Sequence, residues 1–92
     1  MSDTLGLLEE SRQLARDLGY RVREEPLGDL PGGACTIGGV PQMLLNLEHS
    51  PAERLERLLH ALAADPRAAG QPMSRLLAAR LRASADSSRD PR

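Results

Sequence analysis

The chain is poor in the residue types that build large hydrophobic cores and cross-linked secreted folds. Its 92 residues contain one tyrosine, no phenylalanine or tryptophan, a single cysteine and no lysine. One cysteine excludes a disulfide within the chain, and the shortage of aromatic rings leaves a core of aliphatic residues, which bury less area each. We therefore expect one small domain of modest stability in a reducing, cytoplasmic environment.

Long apolar runs and a strong charge of one sign are also missing. No apolar stretch is long enough to span a bilayer, and the start of the chain lacks the basic and apolar segments of a signal peptide, so we expect no membrane association. The formal net charge is -1. The arginine-rich carboxyl end has no aromatic residues for base stacking, so we also expect no binding to nucleic acid.

The spacing of the apolar residues predicts an α+β domain with the element order α-β-β-β-α-α. Leucine and alanine recur at intervals of three, four and seven within residues 4–18, as on one side of an amphipathic helix. Gly19 suits the end of this helix, and the alternation over residues 20–24 predicts a short strand. Prolines and glycines at 26–33 exclude regular structure, so a loop follows.

The Gly38-Gly39 pair lies between two extended runs, residues 34–37 and 40–47, and predicts a tight hairpin because both turn positions need positive φ. We expect a small three-stranded antiparallel sheet with helices on one face. The alternating pattern predicts that the face covered by helices carries Cys35, Ile37, Met43, Leu45 and Leu47. The opposite, uncovered face would carry Leu44.

Two further helices follow the sheet. Ser50-Pro51-Ala52-Glu53 predicts a helix start with a capping box, and Asp65-Pro66 predicts its end because a residue before proline avoids the helical region. Pro72 opens a third helix with the docking positions Met73, Leu76, Leu77 and Leu81. We expect a single domain over residues 1–83 and a disordered tail over 84–92, where nothing remains to bury.

Five short segments carry a resemblance to a known family. They are Leu18-Gly19-Tyr20-Arg21-Val22, Glu25-Pro26-Leu27-Gly28, Gly32-Gly33-Ala34-Cys35, Met43-Leu44-Leu45-Asn46-Leu47 and Ser50-Pro51-Ala52-Glu53-Arg54. In this order they resemble the amino-terminal half of the ImmA/IrrE-like metallopeptidases. The chain also resembles short bacterial proteins that share this layout without the peptidase motif.

The resemblance implies a degenerate zinc site. In that family the helix after the third strand carries His-Glu-x-x-His, whose histidines bind zinc and whose glutamate is the general base. The matching positions here read His60-Ala61-Leu62-Ala63-Ala64, so only the first histidine is present. We therefore predict a pseudo-metallopeptidase with no catalytic residue, no metal and no cofactor.

Cys35 and His60 are the residues on which an enzyme would depend. A cysteine is a nucleophile as its thiolate, which a nearby cation favours by lowering the pKa of the thiol. Cysteine and histidine side chains are also zinc ligands, so Cys35, His49 and His60 are the candidates for a metal site. Their spacing matches no metal motif, and the predicted place of Cys35 favours packing as a small hydrophobe. A thiol- or metal-dependent enzyme using Cys35 and His60 is therefore the alternative hypothesis.

The preferred interpretation is a non-catalytic protein-interaction module that self-associates as a homodimer or larger homo-oligomer, or binds a small protein partner. The thin aliphatic core, the uncovered sheet face and the amphipathic third helix favour it. The predicted contact residues are Leu44, Leu76, Leu77 and Leu81. A regulatory protein that binds a helix-turn-helix partner is a further alternative, drawn from the family resemblance.

Overall fold

The computed structural model describes residues 3–88 and has the α+β architecture expected from the sequence. The elements are α1 (Thr4–Asp17), β1 (Arg21–Glu25), β2 (Gly33–Ile37), β3 (Val40–Asn46), α2 (Pro51–Ala63), a 3-10 turn (Ala68–Gly70) and α3 (Arg75–Ser88). The 3-10 turn before α3 is an addition to the predicted order. Within the described residues, no helix has the length and apolar character needed to cross a membrane.

The sheet is mixed and has the strand order β1-β3-β2, so the purely antiparallel sheet expected from the sequence is wrong. β2 pairs antiparallel with β3 through the predicted Gly38-Gly39 hairpin, whereas β1 pairs parallel with β3. β3 is suited to the centre because it is buried on both faces, as the adjacent pairs Gln42-Met43 and Leu45-Asn46 show. Residues 34–37 of β2, in contrast, are all exposed.

The register places Cys35 and Ile37 on the sheet face that the helices leave uncovered, and the expected face is therefore wrong. The two-residue turn makes Ile37 and Val40 cross-strand partners. Two residues further along, Cys35 lies opposite Gln42 and not opposite Met43. Because Met43 faces the helices, Cys35 faces away from them, and it is exposed.

α1 and α2 cover one face of the sheet. α1 contacts β1, while α2 contacts both β2 and β3. Leucine dominates the core that they form, which comprises Leu7, Leu8, Leu14, Ala15, Leu18, Met43, Leu45, Leu55, Leu58, Leu59, Leu62, Ala68, Leu77 and Leu81. Each buried leucine contributes about 1.5–3 kcal/mol by leaving water, so these leucines provide most of the driving force for folding.

α2 begins as the sequence predicts. The backbone N–H of Glu53 donates to Ser50 Oγ over 3.2 Å, and the backbone N–H of Ser50 donates to Glu53 Oε1 over 2.8 Å. Pro51 occupies the first turn, where its missing N–H costs no hydrogen bond. This capping box sets the start of the helix that carries His60.

α3 begins at Arg75, three residues after Pro72, because Ser74 provides the cap. The backbone N–H of Leu77 donates to Ser74 Oγ over 3.1 Å. Ser74 in turn donates through its N–H and its hydroxyl to the Glu10 carboxylate of α1, both over 2.8 Å. The helix continues to Ser88. Residues 84–88, placed by the sequence in a disordered tail, are therefore helical, and residues 89–92 lie outside the described residues.

The buried side chain of Asn46 holds the loop that crosses from β1 to β2. Its Oδ1 accepts hydrogen bonds from the backbone N–H groups of Leu27 (3.0 Å) and Glu48 (2.9 Å). Its Nδ2 donates to the carbonyl oxygens of Gly28 (3.0 Å) and Leu30 (2.9 Å). β1 and β2 flank β3 on opposite sides, so the loop must cross the carboxyl end of β3, where Asn46 is the last residue. All four hydrogen-bonding positions of the amide are used.

Gly32 allows the end of this loop to approach the central strand. Its φ is +82°, in the left-handed region that favours glycine. A Cβ at this position would lie 2.5 Å from the carbonyl oxygen of Leu44, which is closer than any real contact. A side chain at residue 32 would therefore push the loop away from β3.

The crossing loop provides the first test. We expect Asn46→Asp to lower the free energy of unfolding by about 3 kcal/mol or more, because the new carboxylate oxygen would face two carbonyls in a buried place. Urea denaturation measures this change. Gln71→Glu, at a partly exposed amide outside the loop, should change stability by less than about 0.5 kcal/mol. Equal, small effects of the two variants would contradict the assigned role of Asn46.

Candidate protein interface

β2 is an edge strand whose outward backbone groups belong to Ala34 and Thr36. The turn glycines have φ values of +59° and +81°, typical of a type I′ turn, in which the flanking residues Ile37 and Val40 form a hydrogen-bonded pair. Hydrogen-bonded and non-hydrogen-bonded pairs alternate along an antiparallel ladder. The N–H and C=O groups of Ala34 and Thr36 therefore point away from β3. Because β2 ends the strand order, they face the free edge.

This edge lacks three of the features by which proteins protect edge strands. Natural edges carry charged side chains, proline or bulges. Residues 30–47 include no charged side chain, β2 includes no proline, and its register with β3 is continuous. An exposed and uncharged edge of this kind is typical of strand addition, in which a second chain continues the sheet.

Apolar side chains extend the edge across the uncovered sheet face. Ile37 is 50% exposed and Val40 is 40% exposed, and they are cross-strand partners. Leu44 is half-buried on the same face, opposite Gly33. The hairpin thus presents a neutral, partly apolar surface beside its free backbone groups.

The four predicted contact residues lie in three different environments. Leu44 is on the uncovered sheet face, as expected, and Leu76 is 46% exposed on α3. Leu77 and Leu81 instead belong to the core, where α3 packs against α2. The amphipathic face of α3 is therefore satisfied within one copy of the chain, and these two leucines are not surface residues.

A cleft of about 480 Å³ adjoins the edge on the helix side of the sheet. The start of β2 forms one wall, and the end of α2 forms the other with Arg57, His60, Ala61 and Ala64. Ala61 and Ala64 have the smallest side chains on the α2 side of this cleft. Their small side chains leave the cleft open beside β2.

Tyr20 and Asp65 line the end of this cleft, and Arg67 contacts both of them. The Tyr20 hydroxyl donates to Asp65 Oδ2 over 2.8 Å, and the Arg67 guanidinium lies 5.8 Å above the Tyr20 ring. Arg67 bonds to both oxygens of Asp65 and donates to the carbonyl oxygen of Leu18 over 3.0 Å. Hydrogen bonding from Arg67 holds the pKa of Asp65 well below its usual range. Burial of the Tyr20 hydroxyl, together with its hydrogen bond to Asp65, raises the pKa of Tyr20. This cluster attaches the end of α2 to the junction of α1 and β1.

A second cleft, of about 630 Å³, lies between α2 and α3 and is lined by charged and imidazole side chains. Two of its carboxylates serve the fold. Glu56 accepts a hydrogen bond from Arg80 of α3 over 2.7 Å, and Glu53 completes the capping box of α2. These contacts hold α3 on α2 and fix the start of α2.

Cys35 and His60, the residues of the alternative enzyme hypothesis, lie on opposite sides of the sheet. Cys35 is on the uncovered face, whereas His60 projects from α2, which packs on the other face. β2 therefore separates the thiol from the imidazole. Among residues 3–88, no group of three or more His, Cys, Asp or Glu side chains is arranged to hold a metal ion.

Comparisons with known proteins give no match to a family, to a curated protein or to a solved structure. The resemblance to ImmA/IrrE-like metallopeptidases thus stays a prediction from the residue pattern.

The hydrogen bonds of Asp65 provide a test that depends on pH. Because the pKa of Asp65 is lowered in the folded chain, its contribution is present above the ordinary value of 3.8 and is lost as the pH falls below it. We expect Asp65→Asn to cost about 1–2 kcal/mol at neutral pH. The gap between the native chain and the variant, measured by urea unfolding, should narrow below pH 3.8.

The exposed Asp29 provides the control for this experiment. Asp29→Asn should change stability by less than about 0.5 kcal/mol at every pH tested. If the difference in free energy of unfolding between the native chain and Asp65→Asn stays constant at the lowest pH tested, the ionic role assigned to Asp65 is wrong.

Proposed function

We propose that this chain is a non-catalytic protein-interaction module that self-associates through the free edge of β2. The observation that supports this proposal is the edge itself: residues 34–37 are exposed, residues 30–47 are uncharged, and the backbone groups of Ala34 and Thr36 point outward. Strand addition satisfies such groups with main-chain hydrogen bonds, and apolar neighbours add contact area.

A second copy of the chain suits this edge because the edge is neutral. The paired strands themselves bring no like charges together, whereas a strongly charged edge would repel itself. The size of the domain favours the same partner, since a chain of 92 residues with an aliphatic core gains stability by burying more surface in an oligomer.

The geometry favours interaction over the thiol or metal chemistry of the alternative. A nucleophile and its base must lie within hydrogen-bond reach, and the sheet separates Cys35 from His60. In the cleft between α2 and α3, Glu53 caps a helix and Glu56 joins two helices, which are structural tasks.

Light scattering after size exclusion tests the proposal. At tens of micromolar, the native chain should elute with twice the mass of the 10.0 kDa chain. Thr36→Pro removes an outward N–H and leaves the ladder to β3 intact, so it should weaken association at least about tenfold. A native chain that is monomeric over this range would overturn the proposal.

Two further variants keep the test decisive. If Thr36→Pro loses its helical circular dichroism, Cys35→Lys introduces a charge at the exposed centre of the same edge and should also dissociate the chain, while Cys35→Ser should not. Leu76→Lys changes an equally exposed apolar residue on α3 and should leave association unchanged. Dissociation by Leu76→Lys with none by the β2 variants would move the contact to α3 and refute the β2 edge.

A further inference from the structure

We propose that the two copies pair β2 with β2 in a single antiparallel register, in which Cys35 of each copy lies opposite Cys35 of the other. This inference rests on the proposed self-association and adds the geometry of the contact. It follows from which residues of β2 direct their backbone groups away from β3, and from the conformations of the glycines at the two ends of the strand.

The alternating direction of the backbone groups along β2 limits the possible registers. Only backbone groups that point away from β3 can bond to a second copy, and these belong to Ala34 and Thr36. In a symmetric antiparallel pair, the two-fold axis can pass through Ala34, Cys35 or Thr36. With the axis at Cys35, Ala34 of each copy pairs with Thr36 of the other, and all four outward groups of each copy are bonded.

The two other registers use half of these groups. With the axis at Ala34, Thr36 would have to pair with residue 32 of the second copy, and with the axis at Thr36, Ala34 would have to pair with residue 38. Gly32 and Gly38 have φ values of +82° and +59°, so neither is extended. Neither glycine can continue the ladder, and the register centred on Cys35 is therefore the one the backbone favours.

The side chains fit the same register. Ile37 of each copy would lie opposite Gly33 of the other, so the bulkiest exposed side chain of the strand meets a residue without one. The small side chains of Ala34 and Thr36 would face each other on the helix side. Cys35 would meet its own copy in a non-hydrogen-bonded pair, where opposing residues approach most closely.

The resulting dimer has a continuous sheet with the strand order β1-β3-β2-β2-β3-β1. The two-fold axis of an antiparallel pair within one sheet is perpendicular to that sheet, so the helices of both copies lie on the same face. The exposed apolar residues Ile37 and Val40 of the two hairpins then lie on the opposite face, on both sides of the paired thiols.

Oxidative cross-linking of the full chain tests the register. Residues of a non-hydrogen-bonded pair have Cα atoms about 4.5 Å apart, within the range of about 4.4–6.8 Å in which a disulfide forms. Diamide, which takes up the two thiol hydrogens as the S–S bond forms, should convert most of the native dimer to a covalent dimer on a non-reducing gel. Cys35→Ser should abolish the product.

A matched variant moves the thiol along the same strand. Cys35→Ser with Ile37→Cys keeps one exposed cysteine on the same face, but the two thiols would be four residue steps apart, roughly 14 Å. Its cross-linking should be at least tenfold slower than that of the native chain, with light scattering confirming that both are dimers.

The outcomes separate this inference from the proposed function. A dimer in which Cys35 does not cross-link, or in which the Ile37→Cys variant cross-links as fast, refutes the register and leaves self-association in place. A monomer by light scattering refutes both. Fast cross-linking at Cys35, with the slow rate at residue 37, supports the register.

Discussion

Four hydrogen bonds of Asn46 support the chain crossing that the strand order requires. β1 and β2 lie on opposite sides of β3, and the chain can join them only by passing over the carboxyl end of the central strand. Backbone groups of the crossing that face the sheet need hydrogen-bond partners. The Asn46 amide provides them for the N–H of Leu27 and the carbonyls of Gly28 and Leu30, and its fourth hydrogen bond is with the N–H of Glu48 after β3. The edge position of β2 follows from this crossing, and with it the candidate interface.

Local signals in the sequence predicted most of the elements. The capping box at Ser50 and Glu53 depends on residues three apart, and the Gly38-Gly39 turn depends on two neighbours, so both could be read without knowing the rest of the fold. The leucine spacing of α1 and α2 likewise identified the buried faces. These features need no information about how distant segments meet.

Strand order and register could not be predicted in the same way, because they depend on contacts between distant segments. One signal was available: Met43-Leu44-Leu45 is a continuous apolar run, which is typical of a strand buried on both faces and would have placed β3 in the centre. The length of the turn was a second signal. Two residues separate Ile37 from Val40, so each odd-numbered residue of β2 pairs with an even-numbered residue of β3. The face of Cys35 follows from it. The burial of Leu77 and Leu81 depended on where α3 docks, which no local pattern specified.

The charged side chains of β1 would limit how far the proposed assembly can grow. In the proposed dimer the outermost strands would both be β1, which carries the charged residues Arg21, Arg23, Glu24 and Glu25 along the remaining edge. Charged side chains on an edge strand disfavour its pairing with a further strand. The contact is also closed by its two-fold symmetry, since both copies use the same strand. The proposed dimer would therefore close at two copies and would not continue into a fibril.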